Sequence, residues 1–338
     1  MRSRDCDPIA ISVIANAGAD TLRNQPLIDK FTPAILCFER TIVKMWTPVE
    51  LPYFCDTDGL PAPLPTTDEI MSSTTLLKDR LGQKMARVGQ HFVVKYGQST
   101  TEVEGHNLLF VEHNLHNIVR APRLYAMYRD LDDRLFLVME FLEGESLDGL
   151  WKALSDDEKS HIMSRLKDMF DGMHSLPSPG FYGSVDKGCM PHHLFYSYPA
   201  DQSISGPFLH ENEVNNAIAG KLRSIFTYNK KYSYKSDFYE RHLSRVLSGH
   251  RPVFSHSDIY RKNIMIHKTD KHTPEKCDYI VALVDWEYAG WYPSYWDYAI
   301  SFTHFCWDDD WPERFECFLE PWLAEAALVR MFYQEIFF

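Results

Sequence analysis

The segment FSHSDIYRKNIMI at residues 254–266 places Asp258 five residues before Asn263, and VALVDWE at 281–287 sets Asp285 behind an apolar run. Each polar group stands at the end of a short β-branched stretch: VFSH leads into Asp258, IMI follows Asn263, and YIVALV ends at Asp285. If these stretches are neighbouring strands, two carboxylates and a carboxamide meet at one end of them. Carboxylates brought together repel unless a cation lies between them. Oxygen donors from an Asp and an Asn suit a hard divalent ion, and Mg2+ is completed by waters and substrate phosphates. The plainer alternative makes Asp258 and Asn263 turn residues and Asp285 a helix cap.

A second feature lies far upstream. Lys95 sits inside HFVVKYG, and a lysine within an apolar strand needs an anion to face. Otherwise it must reach water from a sheet edge. In TEVEGHNLLFVEHNL, Glu104, Leu108 and Val111 fall on one helical face, which makes Glu104 the candidate partner. Glu102 and Glu112 occupy the same helix, and a surface role suits any of the three. A lysine held by a glutamate near a metal site is how phosphotransferases grip a nucleoside triphosphate.

The elements that must position these groups fall into two regions. Residues 83–143 read strand–strand–helix–strand–strand, with KMARVGQHFVVKYG as two strands around a turn at Gly89. From 144 onward helices dominate. LSDDEKSHIMSRLKDMFDGMHSL has a cap at Ser155, acids in its first turn, and an apolar stripe of Ile162, Leu166, Met169 and Met173. ENEVNNAIAGKLRSIF and SDFYERHLSRVL are further helices, and short strands interrupt the helices at 252–255, 263–267 and 279–285. Upstream, Ile28, Phe31, Ile35, Phe38, Ile42 and Met45 are spaced as one face of an amphipathic helix, and the proline-rich LPAPLPTTDEI at 60–70 reads as a linker.

The order Lys, Glu, H-x-D-x-x-x-x-N, Asp is the order of the protein-kinase fold. Here it is Lys95, Glu104, His256-Ser257-Asp258 with Asn263, then Asp285 in DWE. With VVKYG, EGHNLLFV, VMEFLEGESL and LVDWEYAGWYPSYWDYA, the chain resembles the aminoglycoside phosphotransferase and choline kinase branch of kinase-like folds over residues 66–325, closest to its fungal-type members. The resemblance implies an α+β, bilobal protein-kinase-like fold with a small β-rich N-lobe and a larger, mainly helical C-lobe. It implies three divisions: an N-terminal extension and linker (1–65), a nucleotide-binding N-lobe (66–143), and a helical C-lobe carrying the catalytic and metal-binding loops (144–338). In these terms Asp258 takes the acceptor proton, and Asn263 and Asp285 hold Mg2+ on the β- and γ-phosphates of ATP. Lys95, set by Glu104, pairs the α- and β-phosphates. The backbone of the hinge Met139-Glu140-Phe141-Leu142, through Glu140 and Leu142, meets the adenine. His256 hydrogen-bonds backbone within the catalytic loop, and Asp297 braces that loop from a helix start. Two departures stand out: Ser257 replaces the glycine usual between the His and the Asp, and GQKMARVG at 82–89 must cover the phosphates without a glycine run.

The expected activity is transfer of the γ-phosphoryl group of ATP to a small-molecule hydroxyl. Two rivals are a quiet nucleotide-binding scaffold and a protein kinase. The second ordinarily needs a segment ending in A-P-E, and none follows DWEYAGWYPSYW. The formal charge of −12 over 338 residues argues against a nucleic-acid partner. The apolar stretches are too short to span a membrane, and seven cysteines without C-x-x-C spacing fit reduced thiols in a cytoplasmic protein. The pairs His113/His116 and His192-His193 lack metal spacing and read as solvated, and Asp308-Asp309-Asp310 reads as a solvated cap or, as a minority reading, as the wall of a site for a cationic acceptor.

Overall fold

Alternation along FVVKYG sets the two faces of the N-terminal sheet. The computed structural model describes residues 46–269 and 279–337; the amphipathic pattern at 28–45 lies outside them. The N-terminal lobe contains β1 (Tyr53–Phe54), α1 (Thr67–Met71), β2 (Leu76–Arg80), β3 (Gln83–Val88), β4 (Phe92–Gly97), α2 (Glu102–Leu115), β5 (Leu124–Arg129) and β6 (Leu135–Glu140). Its six strands lie in the order β1-β5-β6-β4-β3-β2 and every neighbouring pair is antiparallel. Successive side chains of a strand point to opposite faces. Phe92, Val94 and Tyr96 of β4 therefore pack on one face with Ala86, Phe136 and Val138. Val93 and Lys95 face the other way, toward α2.

The first face is covered by a segment that reads as a linker in the sequence. Leu60, Ala62 and Leu64 pack against it, and Ile70 of α1 is fully buried there. Thr66 closes α1 with a capping box: its Oγ1 accepts from the Glu69 N–H, and the Glu69 carboxylate accepts from the Thr66 N–H at 2.7 Å. Tyr53 and Phe54 of β1 already pair with Met127 and Ala126 of β5. Sheet pairing thus begins upstream of residue 66, and the proline-rich stretch is a packed cover.

After β6 the chain crosses to the second lobe. Gly144 lies at φ +124°, and a Cβ there would come within 2.3 Å of the Ile266 carbonyl oxygen, so only glycine fits this crossing. The second lobe comprises β7 (Glu145–Ser146), α3 (Leu147–Leu150), α4 (Asp156–Ser175), α5 (Gln202–Ser205), α6 (Glu211–Tyr228), α7 (Tyr234–Val246), β8 (Pro252–Ser255), β9 (Ile264–Lys268), β10 (Tyr279–Leu283), β11 (Gly290–Pro293), α8 (Trp296–Phe302), α9 (Trp311–Phe315) and α10 (Leu323–Phe337). The capping box of Ser155 and Glu158 starts α4, and its stripe Ile162, Leu166, Met169 and Met173 is buried. The arrangement is the bilobal α+β kinase-like fold that the sequence pattern implies. Among the described residues no helix is long and apolar enough to cross a membrane.

The short strands differ from expectation in one respect. β9 and β10 pair antiparallel, with Ile264 opposite Leu283, but β8 pairs with β11 instead of joining them. The residue after β10, Val284, donates its N–H to the Asn263 carbonyl at 2.9 Å. That bond, more than a shared sheet, brings the candidate residues together.

If residues 60–70 are structural, Ile70→Ala loses a fully buried side chain and should cost about 2–5 kcal/mol in denaturant unfolding. A change below about 0.5 kcal/mol would match a surface position and restore the linker reading.

Candidate active site

The Lys95 ammonium is 1 % exposed and touches three carboxylates: Glu104 at 2.7 Å, Asp285 at 3.0 Å and Glu287 at 2.7 Å. Glu104 comes from the first turn of α2. Asp285 sits at φ +66°, in the left-handed region, where the chain turns sharply out of β10. Aspartate tolerates that conformation better than most residues. The turn is held by Asn107 of α2, whose fully buried side chain donates to the carbonyls of Trp286 and Ala289 at 2.8 and 3.0 Å.

The charges explain one another. Burial alone would push the Lys95 ammonium toward neutrality, but Glu104, Asp285 and Glu287 outweigh it and hold its pKa above the ordinary lysine value. Glu104 moves up as well: burial, reinforced by the like charges of Asp285 and Glu287, outweighs the attraction of Lys95. The two ends of one ion pair thus shift in the same direction, because three acids share a single buried ammonium. Asp285 is also desolvated, yet Lys95 and then Lys78, 3.6 Å away on β2, keep its pKa low. Oxygens of Glu104, Asp285 and Glu287 lie within 4.8 Å of one another, but Lys95 bonds to all three and already serves as their cation.

The catalytic loop meets this cluster from the second lobe. Asn263 donates its Nδ2 to the Asp258 backbone oxygen at 2.9 Å and to the Asp258 Oδ2 at 2.6 Å. Its Oδ1 is left as the carboxamide's electron donor. Burial raises the pKa of Asp258, against the lowering influence of His256 and Lys262. His256 is buried and bridges the loops: one ring nitrogen meets the Val284 carbonyl at 3.1 Å and the other the Asp258 N–H at 3.3 Å. Burial lowers its pKa, so it acts as a neutral brace. Asp297 at the start of α8 is buried and accepts from the Ser257 N–H at 2.8 Å, with His174 3.1 Å from its other oxygen.

Ser257 lies at φ +68°. This is the backbone conformation that glycine adopts without penalty, which accounts for the glycine usual at this position. The serine returns something for the strain: its Oγ accepts from the buried Trp296 Nε1 at 2.7 Å.

A cleft of about 390 Å³ lies between the lobes, bordered by Lys78, Glu104, Leu142, Asn263 and Asp285. The volume is that of a small-ligand site. Leu77, Lys78 and Arg80 of β2 with Met85 of β3 form its cover. The covering groups are thus mainly side chains just upstream of 82–89, not a glycine-rich backbone. At the hinge, the N–H of Glu140 donates to the Arg123 carbonyl and that of Phe141 to the His91 carbonyl, both at 2.8 Å. The Glu140 carboxylate is bound by Arg120 at 2.5 and 2.8 Å. Asp258 does not border this cleft. It borders a second, smaller cavity, and Asn263 joins the two.

Lys95, Glu104 and Asp285 come into direct contact, as do Asp258 and Asn263. Four contributors escape the sequence reading. Glu287 carried a signal, being the acid two residues beyond Asp285. Lys78 and Arg80 alternate on a strand that the reading missed. Asn107 gives no local sign. His192, read as solvated, is buried, with its ring 4.1 Å from that of His193.

Ser257→Ala keeps the left-handed backbone and orphans the Trp296 N–H, so a loss of about 1–3 kcal/mol is expected. Ser257→Gly loses the same bond but relieves about 1–2 kcal/mol of strain. The glycine variant should therefore unfold at higher denaturant than the alanine variant; the reverse order would contradict the strain assignment.

Among protein-family models, the one described as the phosphotransferase enzyme family matches residues 88–327. No curated protein matches the chain. Among solved structures, the GDP complex of wild-type aminoglycoside 2′-phosphotransferase-IIIa is similar at TM-score 0.51 and 13% identity, covering 77% of this chain and 83% of that one. A thermostable mutant of aminoglycoside phosphotransferase APH(4)-Ia, apo form, gives TM-score 0.52 at 13% identity, with 78% and 83% covered. A ternary complex of such a mutant with ADP and hygromycin B gives 0.52 at 13%, with 80% and 86% covered. At these identities the likeness is one of fold.

Proposed function

Since the chain belongs to the phosphotransferase enzyme family, we propose that it transfers the γ-phosphoryl group of ATP to a hydroxyl of a small molecule. One observation carries this reading: Asn263 borders the nucleotide-sized cleft and is hydrogen-bonded at 2.6 Å to Asp258, which borders a separate cavity. A donor and an acceptor can then meet across one side-chain contact.

Each residue has a role that its surroundings support. The Leu142 N–H has no hydrogen-bond partner among the described residues, and Leu142 and Glu140 both border the cleft, which supports their backbone as the contact for an adenine. Lys95 presents an ammonium to the α- and β-phosphates, held in place by Glu104 and Glu287. Lys78 and Arg80 extend positive charge over the phosphates. The Asn263 Oδ1 and the Asp285 carboxylate, both at the border of the cleft, would supply hard oxygen donors that suit Mg2+. The ion would neutralise charge on the β- and γ-phosphates. Asp258, freed from solvent and fixed by Asn263, receives the acceptor's proton. Phosphoryl transfer asks mainly for positioning and charge neutralisation, which this arrangement can supply.

The chain passes from Asp285 through β11 directly into α8. No long segment intervenes there to bind a protein substrate, which favours a small acceptor over a protein. A binding scaffold is disfavoured by the cost of holding Lys95 and three acids away from water.

Asp258→Asn should keep Mg-ATP binding, measured by calorimetry, while transfer in a mass-shift screen of hydroxyl compounds falls by about 10²–10⁴-fold. Undiminished transfer would remove Asp258 as the base.

A further inference from the structure

We propose that the second cavity bordered by Asp258 is the acceptor subsite and that it takes a neutral, flat, ring-bearing alcohol or phenol in preference to a polycationic amine. The inference rests on the phosphotransfer reading above and adds the acceptor's class. The cavity measures about 40 Å³ and shares no bordering residue with the nucleotide cleft. It is large enough for a hydroxyl and the ring edge bearing it, with the rest of the molecule directed outward.

Half of its bordering residues carry rings. Tyr260 and His304 have centroids 5.0 Å apart, His304 and Tyr333 5.1 Å, and Tyr333 and His193 5.9 Å. The Tyr333 hydroxyl, from α10, meets the His193 Nε2 at 3.2 Å. Offset and edge contacts between rings favour an aromatic or alicyclic guest over a charged chain.

The charges point the same way. Asp258 is the one carboxylate among the residues bordering this cavity. Burial keeps His304 neutral, its pKa pushed down to about 4, with His193 and Lys262 adding to the effect. Burial and Lys221 likewise lower His193, against the pull of Glu287. Three further acids of this lobe are already paired with cations of the chain. Asp309 holds Arg261 at 2.5 Å, Asp310 holds Lys159 at 3.0 Å, and Glu287 holds Lys95. Within the Asp308–Asp310 run, Asp309 and Asp310 are thus already paired with cations of the chain. An acceptor with several ammonium groups would bring them against imidazoles and phenols, losing hydration without gaining a partner.

The step balances with these atoms. The acceptor oxygen bonds to the γ-phosphorus as the bond from that phosphorus to the bridging oxygen of ATP breaks, and the electron pair leaves with ADP. The hydroxyl proton goes to Asp258, whose Oδ2 is held by Asn263 and whose Oδ1 remains to receive it.

The test offers the intact protein with Mg-ATP two sets of hydroxyl compounds of similar size. One holds neutral phenols and alicyclic alcohols, the other aminocyclitols and quaternary ammonium alcohols, and products are read by mass. Transfer should favour the neutral set by at least about tenfold in kcat/KM, the scale of a few mismatched pocket contacts. Tyr333→Ala should raise the KM of the best acceptor by about tenfold and leave the KM of ATP unchanged, and Tyr333→Phe should stay near the parent. If Tyr333→Ala does not fold, His304→Gln is held to the same split. Preference for the cationic set, or an acceptor KM indifferent to the variant tested, overturns the proposal. Mg-ATP binding with no neutral compound accepted overturns this proposal alone, whereas no Mg-ATP binding at all takes the phosphotransfer reading with it.

Discussion

One buried ammonium constrains the rest of the structure. Lys95 can face inward only because strand alternation places it opposite Phe92, Val94 and Tyr96 and beneath α2. It can stay charged there only because Glu104, Asp285 and Glu287 close around it. Removing one partner of such a group typically costs about 3–5 kcal/mol, because the remaining charges stay buried without compensation. The same contacts join the lobes, since Lys95 and Glu104 belong to the first and Asp285 and Glu287 to the second. Three acids around one buried ammonium leave the cluster with a surplus of negative charge, which Lys78 beside Asp285 partly offsets.

Around that cluster the catalytic loop is held by groups that do no chemistry. His256 ties it to Val284, Asp297 accepts from the Ser257 N–H, and Trp296 donates its indole N–H to the Ser257 hydroxyl oxygen. Two left-handed residues, Ser257 and Asp285, flank the seam between the two cavities. Strained backbone of this kind survives only where surrounding contacts over-determine it, and it collects at functional sites. The strain aims Asp258 into one cavity while Asn263 borders the other. Two cavities with one hydrogen bond between their borders follow from that backbone path.

Much of this was legible in the sequence because it is encoded locally. A lysine inside the apolar HFVVKYG marks Lys95 as an anomaly, and the helical face shared with Leu108 and Val111 makes Glu104 its candidate partner, which the contact bears out. The spacing of Asp258 and Asn263 at strand ends predicts that their polar groups meet, and the Asn263–Asp258 bond joins them. What was not legible depends on distant partners. β8 was expected beside β9 but pairs with β11, whose GWYP lacks alternation and carries glycine and proline at its ends. Leu60, Ala62 and Leu64 repeat every second residue, yet the prolines between them concealed an extended packed segment. The burial of His192 comes from tertiary packing against Tyr288 and Trp296, which no window of sequence contains.

The central claim is that Asp285 and Asn263, steadied by the Lys95 cluster, bind the nucleotide through a divalent cation. Calorimetric titration of ATP with and without Mg2+, on the parent protein and on Asp285→Asn, tests it most directly. The account predicts that Mg2+ tightens ATP binding to the parent and that this gain shrinks by about tenfold or more in the variant, the scale on which altered metal surroundings act. An equal gain from Mg2+ in both proteins would contradict it.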